Sequence, residues 1–330
     1  MNKVNIGLLG MGNIGTGTYK TCIMNHEHIK KVTGIDFEVI KILEIDTDRD
    51  RGISVDKSIF TQDIDDILND PEIHIVIELL GGLEPATDFM LKAMEKGKHV
   101  VTANKAAVAA EYDKLEKTAR DNKIMFRFEA SVGGGIPILN ALTTALLANE
   151  YKEITGILNG TTNYILSKMR SEGRPYDEIL KEAQKKGFAE ADPTADVEGE
   201  DVANKLSILM SLIFNKRILP KDIPTRGITH ISNEDIKTAE EEGCVIKLVA
   251  TAFSTADGEV DCYIQPTLLN KEHPLAGVEN EFNAIFVRGN AVDELMFYGK
   301  GAGPMPTGSA VMGDVIEIGK AIKKGTAFDI

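Results

Sequence analysis

Val4-Asn-Ile-Gly-Leu-Leu-Gly10-Met-Gly12-Asn-Ile-Gly15 decides the reading of the fold. Val4 to Leu9 is a short apolar run that ends directly in glycines, which suits a strand buried on both faces of a parallel sheet. Gly10, Gly12 and Gly15 then supply the spacing G-x-G-x-x-G, and Ile14 to Met24 is compatible with a crossover helix. Strand, glycine turn and helix hold a dinucleotide for a physical reason. Glycines permit a tight turn and close backbone approach, and the helix N-terminus offers free N–H groups to a pyrophosphate. Gly10, Gly12, Asn13, Ile14 and Gly15 are therefore candidate cofactor contacts, against the alternative of an ordinary glycine-rich turn.

Outward from this stretch, apolar runs at Glu38–Ile45, Ile73–Leu79, His99–Thr102 and Ile124–Phe128 alternate with helical patterns at Pro85–Glu95 and Ala106–Asp121. Strands alternating with helices predict an α/β domain with a doubly wound parallel sheet over residues 1–129. Beyond residue 130 the pattern changes. A glycine cluster, SVGGGIPIL, is followed by helical stretches around 137–149, 161–171, 176–186 and 199–214 and by strand-like runs such as Val245–Phe253, which predicts a mixed α+β domain over 130–304. Thr307–Lys324 has apolar residues at helical spacing with a basic end, so residues 305–330 are expected to form a terminal helix that packs back on the first domain.

Lys plus Arg number 37 and Asp plus Glu 51, a net charge of −14 that repels nucleic acid and anionic lipid at long range. No stretch offers the roughly 18 continuous apolar residues of a membrane span, and the N-terminus does not read as a signal peptide. The three cysteines, Cys22, Cys244 and Cys262, lack C-x-x-C spacing. They fit a reducing compartment, and the chain is read as cytoplasmic.

The end of the second predicted strand reads Leu43-Glu44-Ile45-Asp46-Thr47-Asp48-Arg49. Carboxylates at this place bond ribose hydroxyls and favour NAD, whereas a base takes the 2′-phosphate of NADP. Glu44 and Asp46 favour NAD; Arg49 and Arg51 keep NADP open. The separation from Gly15 to Asp46 exceeds the roughly 20 residues of the usual fingerprint.

Gly187 to Lys205 carries six carboxylates before one lysine. A solvated acidic loop accounts for most of such a run. Asp201 and Lys205, however, stand four apart on a predicted helix that continues apolar, so they share a face near its buried stripe. A lysine held there can give a proton to a carbonyl oxygen, worth about 10²–10⁴ in rate, and the acids around it can hold an ammonium group. Lys105 follows a strand end, where open α/β sheets place ligands, or is simply a loop lysine. None of the six histidines has a comparable setting.

GLLGMGNIGTG (7–17), ELLGG (78–82), VVTANKA (100–106), FEASVGGGIPI (128–138), GILNGTTNYIL (156–166), KKGFAEADPTADVEGEDVANKL (185–206) and MFYGKGAG with PTGSAV (296–311) together resemble homoserine dehydrogenase across essentially the whole chain. The resemblance implies a Rossmann-type nucleotide domain, a second domain that also dimerises, and NAD(P)-dependent interconversion of L-homoserine and L-aspartate 4-semialdehyde on the route to threonine and methionine. It implies Lys205 as proton donor to the aldehyde oxygen, with Lys105 a second lysine near nicotinamide and substrate. Glu190, Asp196 and Asp201 would hold substrate or orient Lys205, and the backbone around Asn159, Gly160 and Thr161 would line the pocket. Leu80, Gly81, Lys105, Gly187 and Gly303 would approach the cofactor. A monovalent cation, Na⁺ or K⁺, would rest on Glu129, Val132, Gly134 and Ile136, mostly through backbone oxygens. A homodimer is expected. Many family members carry a base where this chain has Ile45, and many bacterial members continue into a regulatory domain that responds to threonine. Ile45 in place of that base favours NAD, and since the sequence ends at Ile330 threonine inhibition is not expected of it.

Overall fold

The computed structural model describes residues 2–326. They form two compact units, one comprising the chain up to Gly135 and from Gly303 onward, the other Ile136–Ala302.

The first unit holds strands β1 (Lys3–Leu9), β2 (Asp36–Leu43), β3 (Phe60–Thr61), β4 (Ile73–Glu78), β5 (His99–Thr102) and β6 (Phe126–Arg127), with helices α1 (Asn13–Met24), α2 (His26–Thr33), α3 (Asp65–Leu68), α4 (Ala86–Glu95) and α5 (Lys105–Asp121) between them. The strands are all parallel, in the order β3-β2-β1-β4-β5-β6. The order reverses between β1 and β4, and ligands bind outside the carboxyl ends of strands at such a switch point. This is the expected Rossmann-like arrangement. Val4, Ile6 and Leu8 of β1 share a core with Ile42, Ile75, Ile77 and Val101.

The long helix of the first unit's second segment, numbered α12 (Pro304–Lys324), adds Val311, Met312, Val315 and Ile318 to that core. It begins three residues earlier than the expected Thr307, because proline at the first helical position needs no backbone donor there. Residues 327–330 of the expected terminal segment lie outside the described residues. Helix α12 meets α1 backbone to backbone: a Cβ on Gly17 would stand 2.1 Å from Pro304 O, and one on Gly308 would stand 2.7 Å from the Gly17 carbonyl carbon.

The second unit holds a five-stranded antiparallel sheet, ordered β11-β10-β7-β8-β9, from β7 (Tyr151–Ile157), β8 (Cys244–Ser254), β9 (Val260–Asn270), β10 (Phe282–Gly289) and β11 (Asp293–Lys300). Its helices are α6 (Ile138–Asn140), α7 (Gly160–Glu172), α8 (Tyr176–Lys185), α9 (Thr194–Val197), α10 (Glu200–Ile213) and α11 (Asn233–Glu241). The central strand β7 was not foreseen, since its alternation is confined to Tyr151–Ile157. The helix expected over 137–149 is shorter, a turn at Ile138–Asn140 continued by a wider turn at Ala141–Ala145. Among the described residues no helix is long and apolar enough to cross a membrane.

Candidate active site

At the carboxyl end of β1 the chain turns through Gly10, whose φ is +88° and whose N–H donates to Leu43 O at 2.9 Å. A Cβ on Gly15 would stand 2.1 Å from Gly10 O, so glycine alone lets α1 start this close to the strand end. The helix has no side-chain cap at Gly12. Thr16 N–H donates to Gly12 O at 2.9 Å, and the earlier N–H groups at Asn13, Ile14 and Gly15 remain for an anion.

Glu44 follows directly on β2. Its Oε2 accepts from Met11 N–H at 2.9 Å and its Oε1 from Asp46 N–H at 3.1 Å. Burial pushes its pKa up, but these bonds and the nearby Arg51 bring it below the ordinary value. Arg51 has a side chain only 5% exposed and stands 3.3 Å from Glu44 Oε2. It donates from Nε to Met11 O at 2.8 Å, from Nη1 to Arg49 O at 2.9 Å and from Nη2 to Asp46 O at 2.6 Å. The guanidinium therefore braces the glycine turn instead of facing outward. Asp46 and Arg49 are exposed, and Ile45 is 86% exposed.

Leu80 and Gly81 follow β4, both exposed. Half-buried Lys105 opens α5, whose cap Asn104 accepts from Ala107 N–H at 3.1 Å. Gly303 precedes α12 as its cap. Glu129, Val132, Gly134 and Ile136 are all buried. Glu129 N–H donates to Oδ2 of Asp314 at 2.9 Å, and Asp314 is itself buried, its pKa pushed well up by burial and then by Glu129.

In the second unit the acidic run is not a solvated loop throughout. Lys205 and Asp201, both 8% exposed, sit on successive turns of α10. Lys205 Nζ donates to Asp201 Oδ2 at 2.7 Å and to Leu158 O at 2.7 Å. An ammonium has three N–H bonds, so one remains for a ligand. Asn159 Nδ2 donates to Asp201 Oδ2 at 2.9 Å and to Asp196 Oδ1 at 2.7 Å, while its own Oδ1 caps α7 by accepting from Thr162 N–H at 2.8 Å. Thr161 Oγ1 donates to Phe188 O at 2.6 Å and lies 3.3 Å from Asp196 Oδ2. Burial, then Asp201, raises the Asp196 pKa. Asn159, Thr161, Asp196, Asp201 and Lys205 are thus one linked group, with Gly160 opening α7 between Asn159 and Thr161.

Glu190 is exposed on the turn after α8, which leaves the helix at Gly187. Its backbone is held by Gln184, whose Nε2 donates to Glu190 O at 3.0 Å and to Ala191 O at 3.2 Å. Sequence reasoning assigned the backbone around Asn159 to the pocket but missed its side chain; an Asn immediately before a helical stretch is the signal of a cap. It also missed Leu158 O, Gln184 and the buried Glu78. Cys22 and Cys262 are buried, and burial pushes the Cys22 thiol up to about 11, so it does not serve as a nucleophile at neutral pH.

A family model described as homoserine dehydrogenase matches residues 137–316, and one described as its NAD-binding domain matches residues 10–129. The chain is 42% identical over 326 residues to a homoserine dehydrogenase of Bacillus subtilis, covering 98% of this chain and 75% of that protein. The crystal structure of a homoserine dehydrogenase from Thiobacillus denitrificans superimposes with a TM-score of 0.92 at 38% identity, covering 99% of this chain and 76% of that one. A hyperthermophilic archaeal homoserine dehydrogenase in complex with NADPH gives a TM-score of 0.79 at 26% identity, covering 97% and 98%. The glycine turn, the paired lysine and carboxylate on α10 and these likenesses agree, and the chain belongs to the homoserine dehydrogenases, NAD-binding oxidoreductases that interconvert L-homoserine and L-aspartate 4-semialdehyde.

Proposed function

We propose that Lys205 gives a proton to the aldehyde oxygen of L-aspartate 4-semialdehyde during reduction and takes it back during oxidation of L-homoserine. The observation that supports this most directly is the buried Lys205 ammonium, fixed by Asp201 and Leu158 O at 2.7 Å each with one N–H left. A donor held in place needs little reorganisation as charge develops on oxygen. Asp201 keeps the lysine aimed. Glu190 and Asp196 take the substrate ammonium, and the α7 start at Gly160 and Thr161 lines the pocket. Lys105 is the second lysine of the reaction.

Gly10, Gly12, Asn13, Ile14 and Gly15 would take the pyrophosphate of the dinucleotide, Glu44 and Asp46 the adenosine ribose. Leu80, Gly81, Gly187 and Gly303 would approach the remainder. Bound nicotinamide supplies or accepts the hydride. NAD is the preferred form, because Arg51, the arginine beside Glu44, already serves the glycine turn. NADP is the second reading, favoured by the NADPH complex of the archaeal relative and by exposed Arg49.

A monovalent cation, Na⁺ or K⁺, on backbone oxygens of Glu129, Val132, Gly134 and Ile136 is also proposed. The buried Glu129 and the buried Asp314 bonded to its N–H favour a positive charge there, and oxygen donors suit a hard cation. The ion would be structural. The enzyme works as a cytoplasmic homodimer through its second unit.

The test is initial-rate formation of NADH and NADPH from L-homoserine with the full chain and its Lys205→Ala variant. The variant should lose about 10² or more in kcat with NADH affinity retained. Near-normal turnover of the folded variant would remove Lys205 from the chemistry.

A further inference from the structure

We propose that Glu78 is a positioning residue for the dehydrogenase reaction, one carboxylate that fixes the turn at 80–82 and the start of α5 as a single piece. This rests on the reading of Leu80, Gly81 and Lys105 as cofactor-side residues.

Glu78 is the last residue of β4 and is 0% exposed. An isolated carboxylate buried to this degree is costly unless hydrogen bonds or an opposite charge compensate it. Among the described residues no lysine or arginine pairs with Glu78; N–H and O–H groups do the work. Oε1 accepts from Leu80 N–H at 2.8 Å and from Gly81 N–H at 3.2 Å. Oε2 accepts from the Thr102 hydroxyl at 2.6 Å, across the β4–β5 register that sets Glu78 opposite Thr102.

The bonds continue into α5. Thr102 Oγ1 accepts from Asn104 N–H at 2.9 Å, Asn104 Oδ1 caps the helix at Ala107 N–H, and Asn104 Nδ2 returns to Gly82 O at 2.7 Å. Glu78, Thr102 and Asn104 thereby close a ring between the 80–82 turn and the residue that precedes Lys105. Leu79 N–H donates to Leu9 O at 2.9 Å, and a Cβ on Gly10 would lie 3.0 Å from Leu79 O, so the same turn rests on the glycine loop. Burial pushes the Glu78 carboxyl up, and the Thr102, Leu80 and Gly81 bonds pull it back. Rigid support of this kind decides rate because a displacement of about 1 Å at a reacting group can cost about 10².

Glu78→Gln keeps an oxygen for Leu80 and Gly81 but turns an amide donor toward Thr102. Thr102→Val deletes that hydroxyl with little change of shape. Each is made in the full chain and in a Lys105→Ala background, and read by melting temperature, NADH titration and steady-state kinetics with L-homoserine. The folded single variants should lose about 10-fold in kcat and bind NADH about 3-fold more weakly, with KM for homoserine unchanged. In the Lys105→Ala background Glu78→Gln should lower kcat no further, since its effect on rate runs through that lysine. Wild-type kcat and NADH affinity in either folded single variant overturn the proposal, as does a full additional loss on top of Lys105→Ala. If Glu78→Gln does not fold, Thr102→Val decides alone. If Lys105→Ala itself turns over normally, the reading of Lys105 fails. The NADH titration then decides, weakened binding sustaining Glu78 as the support of the turn and unchanged binding overturning it.

Discussion

Lys205 Nζ lies 2.7 Å from Asp201 Oδ2, one helical turn apart on α10, with each side chain only 10% exposed. Such a pair is weak ground for claiming stability, because desolvation of two ions offsets most of their attraction. Its proposed use is orientation. Asp201 also accepts from Asn159, which reaches Asp196 with the same nitrogen. Two carboxylates, one amide and one ammonium, all buried but half-buried Asp196, carry a net negative charge that an amino-acid ammonium would neutralise.

The cost of that arrangement is measurable at Asp196. Its pKa is raised by burial and by Asp201, above the ordinary 3.8. The folded protein therefore holds this proton more tightly than the unfolded chain. The resulting stability is fully present below the unfolded pKa and is lost as pH rises through the folded one. Asp196→Asn should raise the melting temperature near pH 7, on the order of 2 °C, and leave it unchanged below about pH 3.5. It should also raise KM for homoserine. Thermal melts across pH 3–8 with matched kinetics check this, and a variant that melts lower at pH 7 contradicts it.

Most of this architecture was legible from local pattern. The glycine turn after β1 and the buried pair of Asp201 and Lys205 on an apolar helix were both legible, because each depends on residues close in sequence. What escaped depends on pairs far apart. Asn159 meets Asp196 and Asp201 only after β7 and α10 pack, and Glu78 meets Thr102 only through strand register. The acidic run read most simply as solvated, and a carboxylate count cannot tell which of its members fold inward. The strand expected to continue to Ile45 ends at Leu43, since Glu44 bonds back to Met11 N–H and turns Ile45 outward.

Two glycines with no chemical role should be among the least replaceable positions. Gly17 of α1 and Gly308 of α12 let the helices touch through backbone atoms. A side chain at Gly17 would overlap Pro304 O at 2.1 Å, an atom that cannot move without shifting the start of α12. Overpacking usually costs about 1–3 kcal/mol where side chains can yield; a rigid backbone should put Gly17→Val at or above the upper end. Urea unfolding of Gly17→Val should show a loss of about 3 kcal/mol or no folded protein. A variant within 1 kcal/mol of the parent, by that same scale, would mean that the helices separate easily.

Cofactor choice is the last consequence, and it separates three residues that lie within one loop. Glu44 and Arg51 clasp the Met11 backbone from both sides, the acid on its N–H and the base on its carbonyl oxygen. Arg51→Ala should therefore weaken NAD and NADP alike, since it loosens the turn under both. Glu44→Ala should weaken both through the lost clasp, and NAD the more because the ribose acceptor goes with it. Ile45→Arg, at a position 86% exposed, should leave NAD use within about 3-fold and raise kcat/KM for NADP by about 10-fold, one charge-assisted contact to the 2′-phosphate. Parallel kcat/KM values for both cofactors in the three variants check the division. A selective loss of NADP in Arg51→Ala would instead place that guanidinium on the phosphate, and would mean that the loop opens away from Glu44 when NADP binds.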